Sequence, residues 1–322
     1  MHIFRYANGV LPNSLALAYI IITYPLALWG LAVSGGMLYL VWCLLLAHTL
    51  VISAYLIHEC IHNTIFRKSR HNRWLGQALA WLTGAAYTPY TKLQTKHLRH
   101  HADRVDVLAL DCREILRARP WLAALMVWMQ RLYLPAAEIL THGLSMAAPF
   151  LLESRRGDRT YLLGVLLSRI LFFSLLASIN LALLPGYLLA WLVFVTVLGF
   201  MDTFQHHYEV RLRLDEDKPV QEFDRDYEET HTFSNLLSQR FPLVNLLVLN
   251  FCYHNVHHYK SGIPWHELPA AHARRYQNSP APLISLHDQL RNYHRYRVER
   301  LQSGTPIHPD SGAAGVSFLV GV

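Results

Sequence analysis

Charged side chains are scarce in this sequence. They make up 16% of its 322 residues, where a soluble domain carries about 25%. The scarcity is also local. Residues 11–57 contain no Lys, Arg, Asp or Glu, and residues 160–201 contain one charge, Arg169. With 52% hydrophobic residues, such a chain excludes an ordinary soluble domain and implies a membrane. Cysteine is scarce too. Cys43, Cys60, Cys112 and Cys252 show no paired spacing, which argues against structural disulfides. No basic motif interleaved with aromatics occurs, so the net charge of +7 does not mark a nucleic-acid partner. No small-residue cleavage site follows the first apolar stretch, so it is not read as a cleavable signal peptide.

Each uncharged stretch is about twice the ~20 residues that cross a bilayer. Each is broken near its middle by turn residues, Ser34-Gly35-Gly36 in the first and Pro185-Gly186 in the second. The expected fold is an all-α membrane protein with four transmembrane helices in two hairpins, spanning roughly 13–33, 37–57, 161–184 and 187–206. The hairpin turns carry no charge. The opposite side carries Arg67, Lys68, Arg70 and Arg73, then Arg155, Arg156 and Arg159, then a basic final third. The positive-inside rule places that side and both termini in the cytoplasm, where the net positive charge faces anionic headgroups. Residues 58–159 and 207–302 then form a cytoplasmic helical cap. Within it, the apolar runs 121–134 and 136–152 read as helices lying in the headgroup plane. Residues 1–302 form one domain, and the Gly/Ser/Pro-rich 303–322 reads as a disordered tail.

What the chain has in excess is clustered histidine. The clusters are His58-Glu59-Cys60-Ile61-His62, His97-Leu98-Arg99-His100-His101 and His254-Asn255-Val256-His257-His258, with a looser pair at His206-His207. Imidazole is the commonest nitrogen ligand of transition metals. Residues at i, i+3 and i+4 share one helical face, so the three boxes offer eight imidazoles on three faces, enough for two ions. Alone, the first box is the H-E-x-x-H pattern of zinc proteases, with Glu59 as general base. That reading leaves the remaining clustered histidines without a role. A metal transporter would carry its ligands near mid-membrane, whereas these lie at the ends of the spans or beyond.

Across residues 35–275 the chain resembles the integral-membrane fatty acid desaturase and hydroxylase superfamily. "HECIHNTIFRKSRHNRWLG" followed by "HLRHH" looks like its first two boxes and their connector. "FQHH" and then "NFCYHNVHHYKSGIPWHELP" are similar to its final stretch. The family's first box often has Asp where Glu59 stands, and the three-residue gap here is more like acyl-lipid desaturases and hydroxylases than the acyl-CoA type. The resemblance implies a non-haem di-iron centre that uses O2. Its ligands would be His58, His62, His97, His100, His101, His254, His257 and His258, with His206 as a ninth and His207 as a weaker substitute. It implies oxidation of an unactivated C–H bond in a fatty acyl chain, with desaturation first. Hydroxylation of a lipid or carotenoid and decarboxylation to a terminal alkene are the alternatives. Electrons would come from a separate donor of ferredoxin, rubredoxin or cytochrome b5 type with its reductase. His308-Pro309-Asp310 has no surrounding haem domain.

Carboxylates should orient the imidazoles. Candidates are Glu59, Asp103, Asp106, Asp202 and Glu228 or Glu229. Asp202 stands out because it lies four residues before His206 in an otherwise uncharged span, where a carboxylate needs a partner. Val51, Ala54 and Tyr55 sit one to two turns from His58 and are expected to line an alkyl tunnel. His48 lies roughly 15 Å along the helix from His58 and reads as a packed intramembrane histidine.

Overall fold

The structure is a computed structural model and describes residues 3–108, 110, 112–208, 210–214, 216 and 222–303. The expected disordered tail lies, beyond Ser303, outside the described residues. The described chain is mostly helical, and four of its helices are long and apolar enough to cross a membrane. Two come first: α1 (Val10–Val33) and α2 (Gly36–Ile61). The break between them falls where the sequence places it, at Ser34-Gly35. Gly36 opens α2 at φ 57°, a left-handed conformation that glycine adopts without a Cβ clash.

The second half of α2 is the centre of the molecule. Every residue from Thr49 to Ile61 is buried, as expected of a helix that is apolar on all sides. It packs against α1, against α3 (Ser69–Thr83) and, later, against the fourth long helix. Next comes α4 (Tyr90–Asp103), then a short strand β1 (Asp106–Leu108). Three helices follow: α5 (Cys112–Ala118), α6 (Pro120–Arg131) and α7 (Ala136–Leu151). On α6, Trp121 and Trp128 are 68% and 58% exposed.

The remaining long helices are α8 (Arg159–Ile179) and α9 (Leu183–Asp202). Here the expected spans need correction. Pro185-Gly186 does not break the chain; it lies in the first turn of α9, where a missing N–H costs nothing because that donor has no intrahelical partner. The break comes earlier. Asn180 accepts from the Ala182 N–H through Oδ1 at 2.9 Å and donates to the Ala32 carbonyl through Nδ2 at 2.7 Å. At its other end α9 stops at Asp202, short of the expected 206, so Asp202 and His206 do not share a helical face.

Arg169, the lone charge of the second apolar stretch, sits 4.4 Å over the Trp81 ring of α3. Beside it α3 ends at Gly84, left-handed at φ 88°, whose N–H closes onto the Ala80 and Trp81 carbonyls. The Tyr187 hydroxyl caps the Leu82 carbonyl at 3.1 Å. The polar end of α3 is thereby satisfied beside the middle of α8.

The last third returns to the same end of the bundle. Strand β2 (Arg211–Arg213) pairs in parallel with β1, tying the chain after α9 to the chain after α4. The short helices α10 (Arg225–His231), α11 (His254–Tyr259) and α12 (Leu268–Arg275) follow, and α13 (Leu286–Ser303) packs on α6. His48 behaves as expected, bridging the Tyr19 hydroxyl at 2.6 Å and the Leu247 carbonyl at 3.1 Å.

Candidate metal centre

Each histidine box is the end of a helix or a short helix of its own. His58 and Glu59 lie in the last turn of α2, and His62 closes that helix. His97, His100 and His101 occupy the last turns of α4, which stops at Arg104 in a left-handed conformation. α11 begins at His254 and carries His257 and His258. His206 follows α9 by four residues and bridges to Thr232.

These elements bring all nine expected imidazoles together, in two lobes. Ring nitrogens of His58, His62, His97, His101 and His257 lie within 4.8 Å of one another. The Nε2 atoms of His62 and His97 are 2.9 Å apart, those of His97 and His101 3.1 Å, and those of His101 and His257 3.1 Å. In the second lobe His100, His206 and His258 meet the same limit. There His206 Nε2 lies 3.1 Å from His100 Nε2 and 2.6 Å from His254 Nε2. The lobes abut where the His101 and His258 rings stack at 4.1 Å. His207 points elsewhere, against Phe233 at 4.8 Å.

The donor set fits a metal. Two nitrogens about 2.1 Å from one ion and at right angles are about 3 Å apart, the spacing that recurs here. Protonation does not explain the convergence. Burial, with repulsion from the neighbouring imidazoles, holds His97, His101, His206, His254, His257 and His258 below the usual histidine range, and His62 down to about 3. Neutral imidazole is the ligating form. Two tautomers are set by acceptors. His100 Nδ1 donates to the Val105 carbonyl at 2.8 Å, and His258 Nδ1 donates to Glu228 Oε1 at 2.9 Å. Each leaves an Nε2 lone pair for the lobe, and His258 Nε2 is buried with no hydrogen-bond partner among the described residues.

The carboxylates sort by what they touch. Glu228 supports His258 and is itself held by Arg104 at 3.1 Å. Asp106 lies 3.9 Å from His100 Nδ1. Glu59 Oε1 is 3.6 Å from His58 Nδ1, while its Oε2 accepts from the Thr64 hydroxyl at 2.5 Å and the Trp265 N–H at 3.1 Å. Glu59 thus ties the first box to the loop after the third. Asp103 pairs with Arg99 and Glu229 with Arg275, away from the lobes. Asp202 is buried, and so is Lys96, which feels Asp106 and then Asp202 as opposite charges while burial pushes its ammonium down to about 7.

Val51, Ala54 and Tyr55 are all buried in the main core. Tyr55 reaches the centre through Phe251, stacked on it at 4.6 Å; Phe251 in turn lies 4.6 Å from His58 and 5.0 Å from His254. Phe251 escapes sequence reasoning because it follows left-handed Leu249 and Asn250, outside any helical spacing. On another side a polar cavity of about 580 Å³ reaches His101 and His258, with Arg104, Arg225, Lys260 and Arg275 around it.

A family model described as fatty acid desaturase matches residues 34–289. No individual characterised protein matches the chain. The match takes in every histidine of the two lobes and most of the chain: it belongs to the fatty acid desaturase family.

Proposed function

We propose that this member of the fatty acid desaturase family holds two iron ions in its paired lobes and uses O2 to oxidise an unactivated C–H bond of a fatty acyl chain, chiefly by desaturation. The observation that carries the reading is the division of nine imidazoles into two abutting ion-sized lobes. Imidazole-rich, carboxylate-poor coordination suits iron. When bound, two irons supply the redox chemistry by which O2 removes hydrogen from an alkyl carbon. The balance for desaturation is one CH2–CH2 unit, O2, two electrons and two protons giving an alkene and two waters. Hydroxylation shares the first abstraction and yields an alcohol and one water. Decarboxylation of a free acid to a terminal alkene starts from the same abstraction.

The chain's own residues divide the work. The histidines hold the ions, while Glu228, Asp106 and the Val105 carbonyl fix ring orientation and tautomer. Phe251 and Tyr55 form an apolar wall beside His58 and His254, which supports a path for the alkyl chain on that side. The basic cavity on the His101–His258 side suits an acidic electron donor of ferredoxin, rubredoxin or cytochrome b5 type, fed by its reductase. The four long helices cross the membrane as two hairpins, with the centre and both termini on the cytoplasmic side, in accord with the basic residues at that end.

Metal analysis of the purified protein tests the reading. About two irons per chain are expected, with an unsaturated or hydroxylated lipid product by mass spectrometry when a reductase and donor are coexpressed. A single zinc per chain overturns it.

A further inference from the structure

A second cavity lies on the membrane side of the centre. Its volume is about 590 Å³, within the range of lipid-sized ligand pockets. It runs between α1, α2 and the apolar 3-10 segment Pro242–Val248. Leu11 and Leu15 of α1 form one rim, and Leu243 and Leu246 form the other. All four are exposed, by 67%, 61%, 79% and 41%. The 3-10 segment is fastened to a candidate span, since the Leu247 carbonyl meets His48 of α2. Leucines so placed face hydrocarbon, so the cavity opens into the bilayer.

Its inner end is different. There the lining is Leu249, Asn250, Trp265 and His266. Asn250 is 4% exposed, and its Oδ1 has no hydrogen-bond partner among the described residues; the same holds for the buried Nε2 of His266. Buried polar atoms left unpaired are costly, and here they cap an apolar channel. The end also adjoins the centre. Phe251, against His58, is the next residue after Asn250, and the Trp265 N–H holds Glu59. Leu249 and Asn250 are both left-handed, at φ 48° and 57°, a strained pair of a kind that persists at functional sites.

We infer that this groove is the route by which a single-chain amphiphile passes from the bilayer to the metal centre, its alkyl chain along the leucine rims and the hydroxyl of its head donating to Asn250 Oδ1 beside His266. The substrate is then a membrane-dissolved lipid with a small uncharged head that can donate a hydrogen bond, such as a protonated fatty acid or a fatty alcohol. A bulky water-soluble carrier on the acyl chain does not fit the inner end. The inference rests on the oxidation reading above but is tested apart from it.

The full chain in lipid nanodiscs is photolysed with a diazirine-bearing palmitic acid, and the labelled peptides are mapped. Label is expected on residues 242–250 and on the start of α1, competed by unlabelled palmitic acid but not by phosphatidylcholine. Leu246→Trp, at an exposed rim, and Ala16→Phe, deeper in the groove, should each cut labelling and kcat/KM for palmitic acid about tenfold. Leu167→Trp on the exposed face of α8 should change neither. Equal competition by phosphatidylcholine marks an annular lipid and overturns the inference. So does unchanged labelling in both groove variants. Labelling that both variants block, in a protein that oxidises no lipid, supports the groove and overturns the oxidation reading instead.

Discussion

Removing the Glu228 carboxylate should empty one lobe and spare the other. Glu228 accepts from His258 Nδ1 at 2.9 Å and from Arg104 at 3.1 Å, so it orients one imidazole of the second lobe, and of the first lobe His101 comes within 4.8 Å of it. Loss of such a support typically weakens metal binding by 10- to 100-fold, or about 1.4–2.8 kcal/mol. Arg104 keeps a bond to the Phe223 carbonyl at 2.7 Å, so the variant leaves no wholly unpaired guanidinium to unfold the site. Glu228→Ala should reach the upper figure. Glu228→Gln retains an acceptor oxygen and should fall between Ala and the parent. The assay is a chelator titration of the iron-loaded protein followed by elemental analysis. The parent should release its metal over one range of chelator; Glu228→Ala should release about one equivalent 10- to 100-fold earlier. Joint loss of both ions, or a curve identical to the parent, refutes the assignment of His258 to a separate lobe.

His257→Ala removes an imidazole of the first lobe and should abolish turnover while the chain still inserts in the membrane, checked by product analysis beside membrane fractionation. His142 is buried against Tyr87 and Trp191, and burial lowers its pKa to about 4. Between pH 6.5 and 4 the unfolded chain binds the extra proton, so stability falls as pH falls, by roughly 3 kcal/mol over the full window. Thermal unfolding against pH should show a shallower decline in His142→Phe, and parallel curves refute the point. Ala54→Trp should shift products toward shorter chains, and an unchanged length profile removes Ala54 from any alkyl path. Charge reversal at Lys260 and Arg225, beside the polar cavity, should raise KM for an acidic donor, most at low salt, with no change in KM for lipid; the reverse pattern makes the cavity a head-group site.

The nine clustered imidazoles were legible because imidazole chemistry and helical spacing act locally. His97, His100 and His101 need only one helix to share a face. The four apolar helices were legible for the same reason, through runs of uncharged residues. Their ends were not. Pro185 looks like a stop, yet proline at a first turn is permitted, and Asn180 ends α8 through a side chain reaching the Ala32 carbonyl, a contact far away in sequence. Asp202 misled in a related way. Its spacing from His206 implies a shared face only if α9 continues, and it does not. Glu228 could be named but not ranked, because its approach to His258 depends on the turn that brings α10 to α11. The membrane-side groove was the least visible feature. It is made by four segments that meet only in the fold.

The ligand order along the chain also bears on how the centre is made. Each lobe draws on both halves of the sequence: the first needs His58 and His257, the second His100, His206 and His258. On the proposed reading, neither ion can be fully held until residue 258 has left the ribosome and α9 is in place. Until α8 and α9 are in place, α3 waits with its deep end beside an absent Arg169 and Tyr187. Biogenesis therefore separates into insertion first and metallation last, and metal shortage should leave a membrane-integrated precursor rather than a degraded fragment.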